Sequence, residues 1–488
     1  MALLSLPDDI LDKVSEKTAP ALDDFGYRIH NYSYKVLAPL LALTQTSRRL
    51  HIASTRHLYS DVRIINGRSL LLFMRTILER PHWSRYVHSL TFFLDLSEHV
   101  RQNSQDLAPH VITAITSNAD LKPHIWEFFG PFTPFDDPRD LMNKAVSYEY
   151  YCGQLLFLCS NLRDLQLYRL TDNRNYYRKL AQTFSYCVDS GLDFLPRLSR
   201  LVLFAERANY INGEWIVPRL PQHLPQALMR AGQVLNLHLS GAKFENDSPP
   251  IMKEAWRHVE SIDLSGRYAM GAWFDSVSQV AEPRLKHVKL SLTPLRVMER
   301  QEAVEKGLNA GLLRLSDTVE TLSLRTNLVT DCRCLLGRDD AWLSCLPSLG
   351  NLTSLDVEAL LLFESPKALR DRPLRSILPS SLELISLHTE EMYDLNWSEV
   401  EVLSDEQGTG GWRTYSTLFF GVLQELVCET SDWLPRLQKV TLIADDSFWE
   451  KKESKLWTRI LSVDPPDLGR NYTTYVIEYA LKRDPATA

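Results

Sequence analysis

The stretch Leu352-Thr353-Ser354-Leu355-Asp356-Val357 places apolar side chains at its first, fourth and sixth positions, with polar residues between them. Such alternation predicts a short β-strand with one buried face. The same frame of apolar positions occurs ten times along the chain. Its copies are Val87-Leu90-Phe92, Leu162-Leu165-Leu167, Leu198-Leu201-Leu203, Val234-Leu237-Leu239, Val259-Ile262-Leu264, Leu285-Val288-Leu290, Val319-Leu322-Leu324, Leu352-Leu355-Val357, Leu382-Ile385-Leu387 and Leu437-Val440-Leu442.

The frames recur at intervals that predict a repeat architecture. Successive frames begin 25 to 36 residues apart, except for two intervals of 75 and 55 residues. Between the frames, apolar residues four positions apart predict helices, as in Leu180-Phe184-Val188 and Leu418-Val422-Leu426. Strands and helices in alternation predict an α/β solenoid, in which each unit buries its apolar face against its neighbours.

Composition and charge narrow the classes of protein. The 488 residues include 80 leucines, and 61 acidic residues against 54 Lys and Arg leave a net charge of −7. Nucleic acid and anionic membrane surfaces are disfavoured as ligands, because both need a cationic face. The first residues carry Asp8, Asp9 and Lys13 and lack the apolar core of a signal peptide. Seven cysteines, an odd number, indicate reduced thiols, so we expect a cytoplasmic or nuclear protein without a membrane span.

Two segments interrupt the predicted repeats of residues 61–488. The first lies near 101–150 and contains the proline-rich loop 128–138. The second, residues 390–411, holds seven acidic residues and no Lys or Arg and ends in Gly-Thr-Gly-Gly. Like charges and glycines give this second segment little apolar surface to bury, so we predict a solvated, mobile insertion.

Residues 1–60 depart from the repeat and predict three short helices. Pro7 opens the first helix, where a missing N–H costs little, and Asp8 and Asp9 favour its positive end. A second apolar run spans residues 36–43, and a third helix follows Ser47. A module of this size cannot bury all of this apolar surface by itself. We therefore predict that the module presents part of its apolar surface to a partner.

These N-terminal residues resemble an F-box. The matching segments are Leu6-Pro7-Asp8-Asp9-Ile10-Leu11, then Leu40-Leu41-Ala42-Leu43-Thr44-Gln45-Thr46-Ser47-Arg48-Arg49-Leu50, and His57-Leu58-Tyr59. The frames behind them, over residues 58–445, resemble degenerate leucine-rich repeats, most fully at Val319, Leu322, Leu324, Asn327 and Val329. The whole arrangement is similar to fungal F-box domain-containing proteins.

The resemblance implies a substrate-recognition subunit of a Skp–cullin–F-box ubiquitin ligase. Its N-terminal module is then expected to bind a SKP-family adaptor, and through it a cullin, while the repeats bind an unknown target protein. The residues expected to bind the adaptor are Leu6, Pro7, Ile10, Leu11, Val14, Leu41, Leu43, Arg48 and Leu50.

Side chains between and just after the last two apolar positions of each frame are predicted to point away from the helices. We call this surface the outward strand face. Aromatic residues on neighbouring strands favour a binding patch, because such side chains are enriched at interface hot spots. The predicted target-binding residues are Tyr168, Phe204, His238, Asp263, Asp356 and Glu358.

Other classes of protein compete with this interpretation. A leucine-rich-repeat scaffold without a ligase role would share the same frames. A hydrolase or transferase is disfavoured, because the chain contains neither the H-E-x-x-H nor the G-x-S-x-G motif. Cys332, Cys334 and Cys345 lack a fourth ligand at zinc-site spacing. We therefore expect a non-catalytic protein with no catalytic residue, metal or cofactor.

Overall fold

The computed structural model describes the chain in separate segments. The described residues are 7–18, 34–65, 67–93, 152–153, 155–170, 195–205, 209–211, 214–216, 233–243, 256–267, 284–292, 309–326, 343–358, 362, 374–388, 433–445, 461–463 and 472–478. The predicted insertions at 101–150 and 390–411 and the helices predicted around Phe184 and Val422 lie outside these residues.

The chain divides into two compact units, Met1–His238 and Leu239–Ala488. The domain boundary predicted at residue 60 falls inside the first unit and stays a prediction. The first unit begins with three helices, α1 (Asp8–Thr18), α2 (Tyr34–Thr46) and α3 (Arg48–Leu58). Strand β1 (Asp61–Ile64), helix α4 (Gly67–Glu79) and a 3₁₀ turn (Pro81–Tyr86) follow. Next come β2 (Ser89–Phe93), β3 (Asp164–Leu170), β4 (Arg200–Ala205) and the antiparallel pair β5 (Asn209–Ile211) and β6 (Glu214–Ile216).

Strand β7 (Asn236–Lys243) spans the division between the units, and the second unit continues with strands and short helical turns. Its strands are β8 (Ser261–Arg267), β9 (His287–Leu292), β10 (Thr321–Thr326), β11 (Ser354–Glu358), β12 (Leu384–His388), β13 (Lys439–Asp445), β14 (Leu461–Val463) and β15 (Tyr472–Glu478). Helix α5 (Ala310–Arg314) and 3₁₀ turns at Trp256–His258, Leu346–Ser348 and Leu374–Ser376 lie between them. Strand β15 pairs antiparallel with both β13 and β14.

Local signals start the N-terminal helices where the sequence predicts them. The carbonyl of Pro7 accepts the backbone N–H groups of Ile10 and Leu11, both at 3.1 Å, and so begins α1. The hydroxyl of Ser47 accepts the N–H of Leu50 at 3.2 Å and caps α3. Such a cap satisfies one of the donors that the first turn of a helix leaves without a partner.

The predicted α/β fold is confirmed as a parallel sheet. Eleven parallel strands, β1–β4 and β7–β13, follow one another in chain order. Every apolar position of the ten frames is at most 5% exposed, apart from Leu442, whose side chain is not described. Equivalent positions align across strands, as Leu322 with Leu355 and Leu355 with Ile385. Within each unit, burial of this apolar row holds the strands together, at roughly 25 cal/mol per Å² of apolar surface.

A backbone device repeats at the start of the strands. At nine junctions among the described residues, one backbone carbonyl accepts the N–H groups of two successive residues of the next repeat. The carbonyl of Glu320, for example, accepts from Thr353 at 2.8 Å and from Ser354 at 3.2 Å. Because the same pairing starts successive strands, their registers agree, and equivalent residues of each frame lie side by side.

Candidate functional site

The three N-terminal helices pack around a small apolar core. Leu11 of α1 is buried together with Leu50 and Ala53 of α3, and Leu43 of α2 packs against them. Leu11 and Leu50 are at most 1% exposed. These two leucines therefore hold the helices to one another, and truncating such buried side chains typically costs about 2–5 kcal/mol.

Polar contacts fix α1 against α3. The buried hydroxyls of Ser15 and Ser54 share a hydrogen bond of 3.0 Å. At the surface, the guanidinium of Arg49 lies 2.6 Å from the carboxylate of Asp8. Exposed ion pairs contribute only about 0–1 kcal/mol, so this one adds little to the stability of the helices.

The structure divides the residues predicted to bind an adaptor by their exposure. Two are buried in the core of the helices, three are partly exposed and three are exposed. In that order they are Leu11 and Leu50, then Ile10, Val14 and Leu43, then Pro7, Leu41 and Arg48. Leu6 is not among the described residues. A partner that docks on the folded helices therefore meets the second and third groups.

Helix α2 exposes an apolar face. Ala38, Pro39, Leu41 and Ala42 are exposed, and Leu41 shows 39% of its surface. Positions 38, 41 and 42 lie on one side of a helix, because residues three and four apart are neighbours. Only Leu41 of this face is predicted from the sequence. Helix α2 is apolar on several sides, so its pattern alone does not reveal that Leu40 points inward and Leu41 outward.

Three stacked aromatic rings cross the ends of β2, β3 and β4. Phe93, Tyr168 and Phe204 occupy equivalent register positions. The ring centroids of Phe93 and Tyr168 are 5.0 Å apart, and those of Tyr168 and Phe204 are 5.4 Å apart. Tyr168 is buried, whereas Phe93 and Phe204 are partly exposed. The sequence predicts the last two rings and misses Phe93, although Phe93 directly follows the last apolar position of the first frame.

A polar cluster around Asp356 joins β10, β11 and β12 on the outward strand face. One carboxylate oxygen accepts from the hydroxyl of Ser323 at 2.7 Å and from the guanidinium of Arg325 at 3.2 Å. The other oxygen lies 2.6 Å from Nε2 of His388, which is only 3% exposed. The negative charge that the sequence indicates here is thus paired with the guanidinium of Arg325 on the same face.

The other predicted target-binding residues vary in exposure. His238 and Asp263 are partly exposed, and the carboxylate of Asp263 lies 3.0 Å from the ammonium group of Lys289. Glu358 is 7% exposed. Asp263 and Asp356 therefore make the outward strand face of the second unit a surface of paired charges.

Electrostatics within the cluster lower the pKa of Asp356. Burial alone would raise it, but the hydrogen bond and positive charge of His388, the charge of Arg325 and the hydrogen bond from Ser323 outweigh burial. The pKa of the carboxyl is therefore held well below its ordinary value, so the group stays ionised under acidic conditions.

We expect this cluster to make stability depend on pH under acidic conditions. Because the pKa of Asp356 is lower in the folded chain, its contribution is complete above the unfolded pKa of about 3.9 and declines as the pH falls below it. In urea unfolding, the stability advantage of the wild type over Asp356→Asn should shrink between about pH 5 and pH 3. Asp317→Asn, at an exposed position, serves as the control. A difference between wild type and Asp356→Asn that stays constant with pH would contradict this assignment.

The described thiols are poor candidates for chemistry. Burial raises the pKa of Cys159 to about 12, and burial likewise raises the pKa of Cys345 to about 12. The thiolate is the nucleophilic form, so neither group is activated. Cys332 and Cys334 are not described. Within the described segments, no group of three or more His, Cys, Asp or Glu side chains is placed to hold a metal ion.

In the part of the chain that the structure describes, no helix is both long enough and apolar enough to span a bilayer. Comparison with known proteins finds no match to any protein-family model and none to a curated protein sequence.

Proposed function

We propose that this chain is the substrate-recognition subunit of a Skp–cullin–F-box ubiquitin ligase. In this proposal helices α1–α3 form an F-box-like module that docks a SKP-family adaptor, and through it a cullin. The strands and their connections form a leucine-rich-repeat-like solenoid that holds a target protein. The chain acts in the cytoplasm or nucleus and does no chemistry itself. It contributes by positioning the target, which makes ubiquitin transfer effectively intramolecular.

The observation that carries the adaptor half of the proposal is the exposed apolar face of α2. Leu41 and its neighbours Ala38, Pro39 and Ala42 meet solvent, while α1 contributes the exposed Pro7 and the partly exposed Ile10. Helices α1 and α2 are in contact. Apolar helix faces of this kind are typical of surfaces that a partner covers, because removing apolar area from water drives association.

The repeated frame supports the solenoid half. Its buried apolar positions align in register from strand to strand, and the same carbonyl pairing starts successive strands. A repeat that buries its face only against its neighbours leaves the outward strand face available along its length. We place target binding on this face. The stacked rings of Phe93, Tyr168 and Phe204 offer apolar contacts, and the charged groups around Asp263 and Asp356 offer polar contacts.

A scaffold without a ligase role is the alternative, because the repeats alone would support binding of proteins in either case. Reconstitution separates the two functions. The chain, a SKP-family adaptor and a cullin should elute together in size-exclusion chromatography if the proposal holds. A chain that binds the adaptor and excludes the cullin, or binds neither, would favour the scaffold.

A further inference from the structure

The segment from α3 to the 3₁₀ turn is strongly cationic in an acidic protein. Residues 48–86 contain eight arginines and two acidic residues, whereas the whole chain has a net charge of −7. Apart from Asn66, all of these residues are described. The local excess of positive charge is therefore a property of a structured surface and needs a physical explanation.

Half of these arginines are neutralised by carboxylates of the same unit. Four ion pairs lie between 2.6 and 3.7 Å: Arg49 with Asp8, Arg56 with Asp12, Arg63 with Asp61 and Arg75 with Glu79. Arg80 differs, because its guanidinium stacks over the ring of Trp83, 4.4 Å from the centroid. For Arg48 and Arg80, the described residues supply no carboxylate within ion-pair distance.

Trp83 lies beside both Arg80 and aromatic residues of the α3 region. Its ring lies 4.8 Å from that of Tyr59 and 6.4 Å from that of His51 on α3. On α3, Arg48 lies one turn before both His51 and Ile52. Ile52, the next residue of the helix after His51, is 52% exposed. We call Arg48, His51, Ile52, Arg80, His82 and Trp83 the arginine–tryptophan patch.

We propose that the arginine–tryptophan patch binds an acidic protein segment that also carries an apolar side chain. Carboxylates of the segment pair with Arg48 and Arg80, and its apolar side chain covers Ile52 and the edge of Trp83. Trp and Arg are the residue types most enriched at interface hot spots. Stacking on Trp83 already orders the guanidinium of Arg80, so little further side-chain freedom is lost on binding.

Protein suits the patch better than nucleic acid or lipid. Specific binding to a phosphate backbone uses on the order of 6–10 cationic contacts, whereas intramolecular pairs already occupy half of the arginines here. The patch combines two arginines with an exposed isoleucine, which matches a segment in which acidic and apolar residues alternate.

The patch shares Arg48 with the residues predicted to bind the adaptor, so its test uses the full chain alone and leaves Arg48 unchanged. The probe is a fluorescent peptide of Glu, Asp, Leu and Phe, compared with a peptide in which Lys replaces the acids, with oligo-dT and with phosphatidylserine vesicles. The acidic peptide should bind best, and its affinity should fall as salt rises, because salt screens exposed charges.

Variants locate the site. Arg80→Glu combined with Ile52→Ser should weaken binding of the acidic peptide by at least about tenfold. Arg68→Glu, the same charge change at an exposed arginine of α4, should change it by less than about twofold. Arg80→Lys retains the charge and should lie between the two. Equal binding of the acidic peptide to the wild type and the double variant, at unchanged melting temperature, would overturn the proposal. It would also be overturned if the acidic peptide bound no better than the Lys peptide, or if oligo-dT or the vesicles bound more tightly.

Discussion

Leu41→Glu is expected to abolish capture of a SKP-family adaptor. Leu41 is 39% exposed on the apolar face of α2, so glutamate there meets solvent in the isolated chain and leaves the fold intact. Covering that glutamate with an apolar partner surface would bury a charge without a counter-ion. We expect the affinity, measured by calorimetry with the purified adaptor, to fall by more than about 100-fold, equivalent to about 3 kcal/mol.

Leu313→Glu supplies the matched control for this experiment. Leu313 on α5 is 44% exposed, so the substitution makes the same chemical change at similar exposure in the second unit. Adaptor affinity should be unchanged in Leu313→Glu. Equal losses of adaptor affinity in both variants would point to a general effect of charge. Undiminished binding by Leu41→Glu would show that α2 is not part of the interface.

Leu355→Ala is expected to destabilise the second unit by about 2–5 kcal/mol. Leu355 is fully buried at the centre of β11, in register with Leu322 on β10 and Ile385 on β12. Truncation removes apolar contacts with both neighbouring strands and leaves a cavity between them. The measurement is the free energy of unfolding from a urea titration that monitors the unfolding transition of the second unit.

Ser354→Ala is the companion variant, on the same strand but at a partly exposed position of the outward strand face. Surface substitutions usually change the free energy of unfolding by less than about 0.5 kcal/mol. A loss in Leu355→Ala no larger than that in Ser354→Ala would mean that the apolar row does not carry the stability of the sheet.

The strands were predictable because their signal is local. In the frame around Leu355, alternation of apolar and polar side chains encodes both the strand and its buried face. Pro7 and Ser47 likewise mark helix starts through their own chemistry, a preset backbone angle and a side-chain acceptor. Features of this kind depend on a few adjacent residues, so a single sequence contains them.

The binding surfaces were less predictable, because they depend on contacts between distant residues. Asp356 looks like an unpaired acid until β10 brings Arg325, and β12 brings His388, to its carboxylate. Leu50 looks available to a partner until α1 places Leu11 against it. Trp83 becomes part of a surface only when the chain returns it to α3. Neither periodicity nor composition contains such information.

Amide hydrogen exchange with and without a SKP-family adaptor shows directly whether α1 and α2 bind the adaptor. We expect slower exchange in peptides covering Asp8–Thr18 and Tyr34–Thr46 when the adaptor is bound, with exchange in Ser354–Glu358 unchanged. Adaptor binding that slows exchange in the strands and leaves both helices as they were, or no binding of the adaptor at all, would contradict the proposed function.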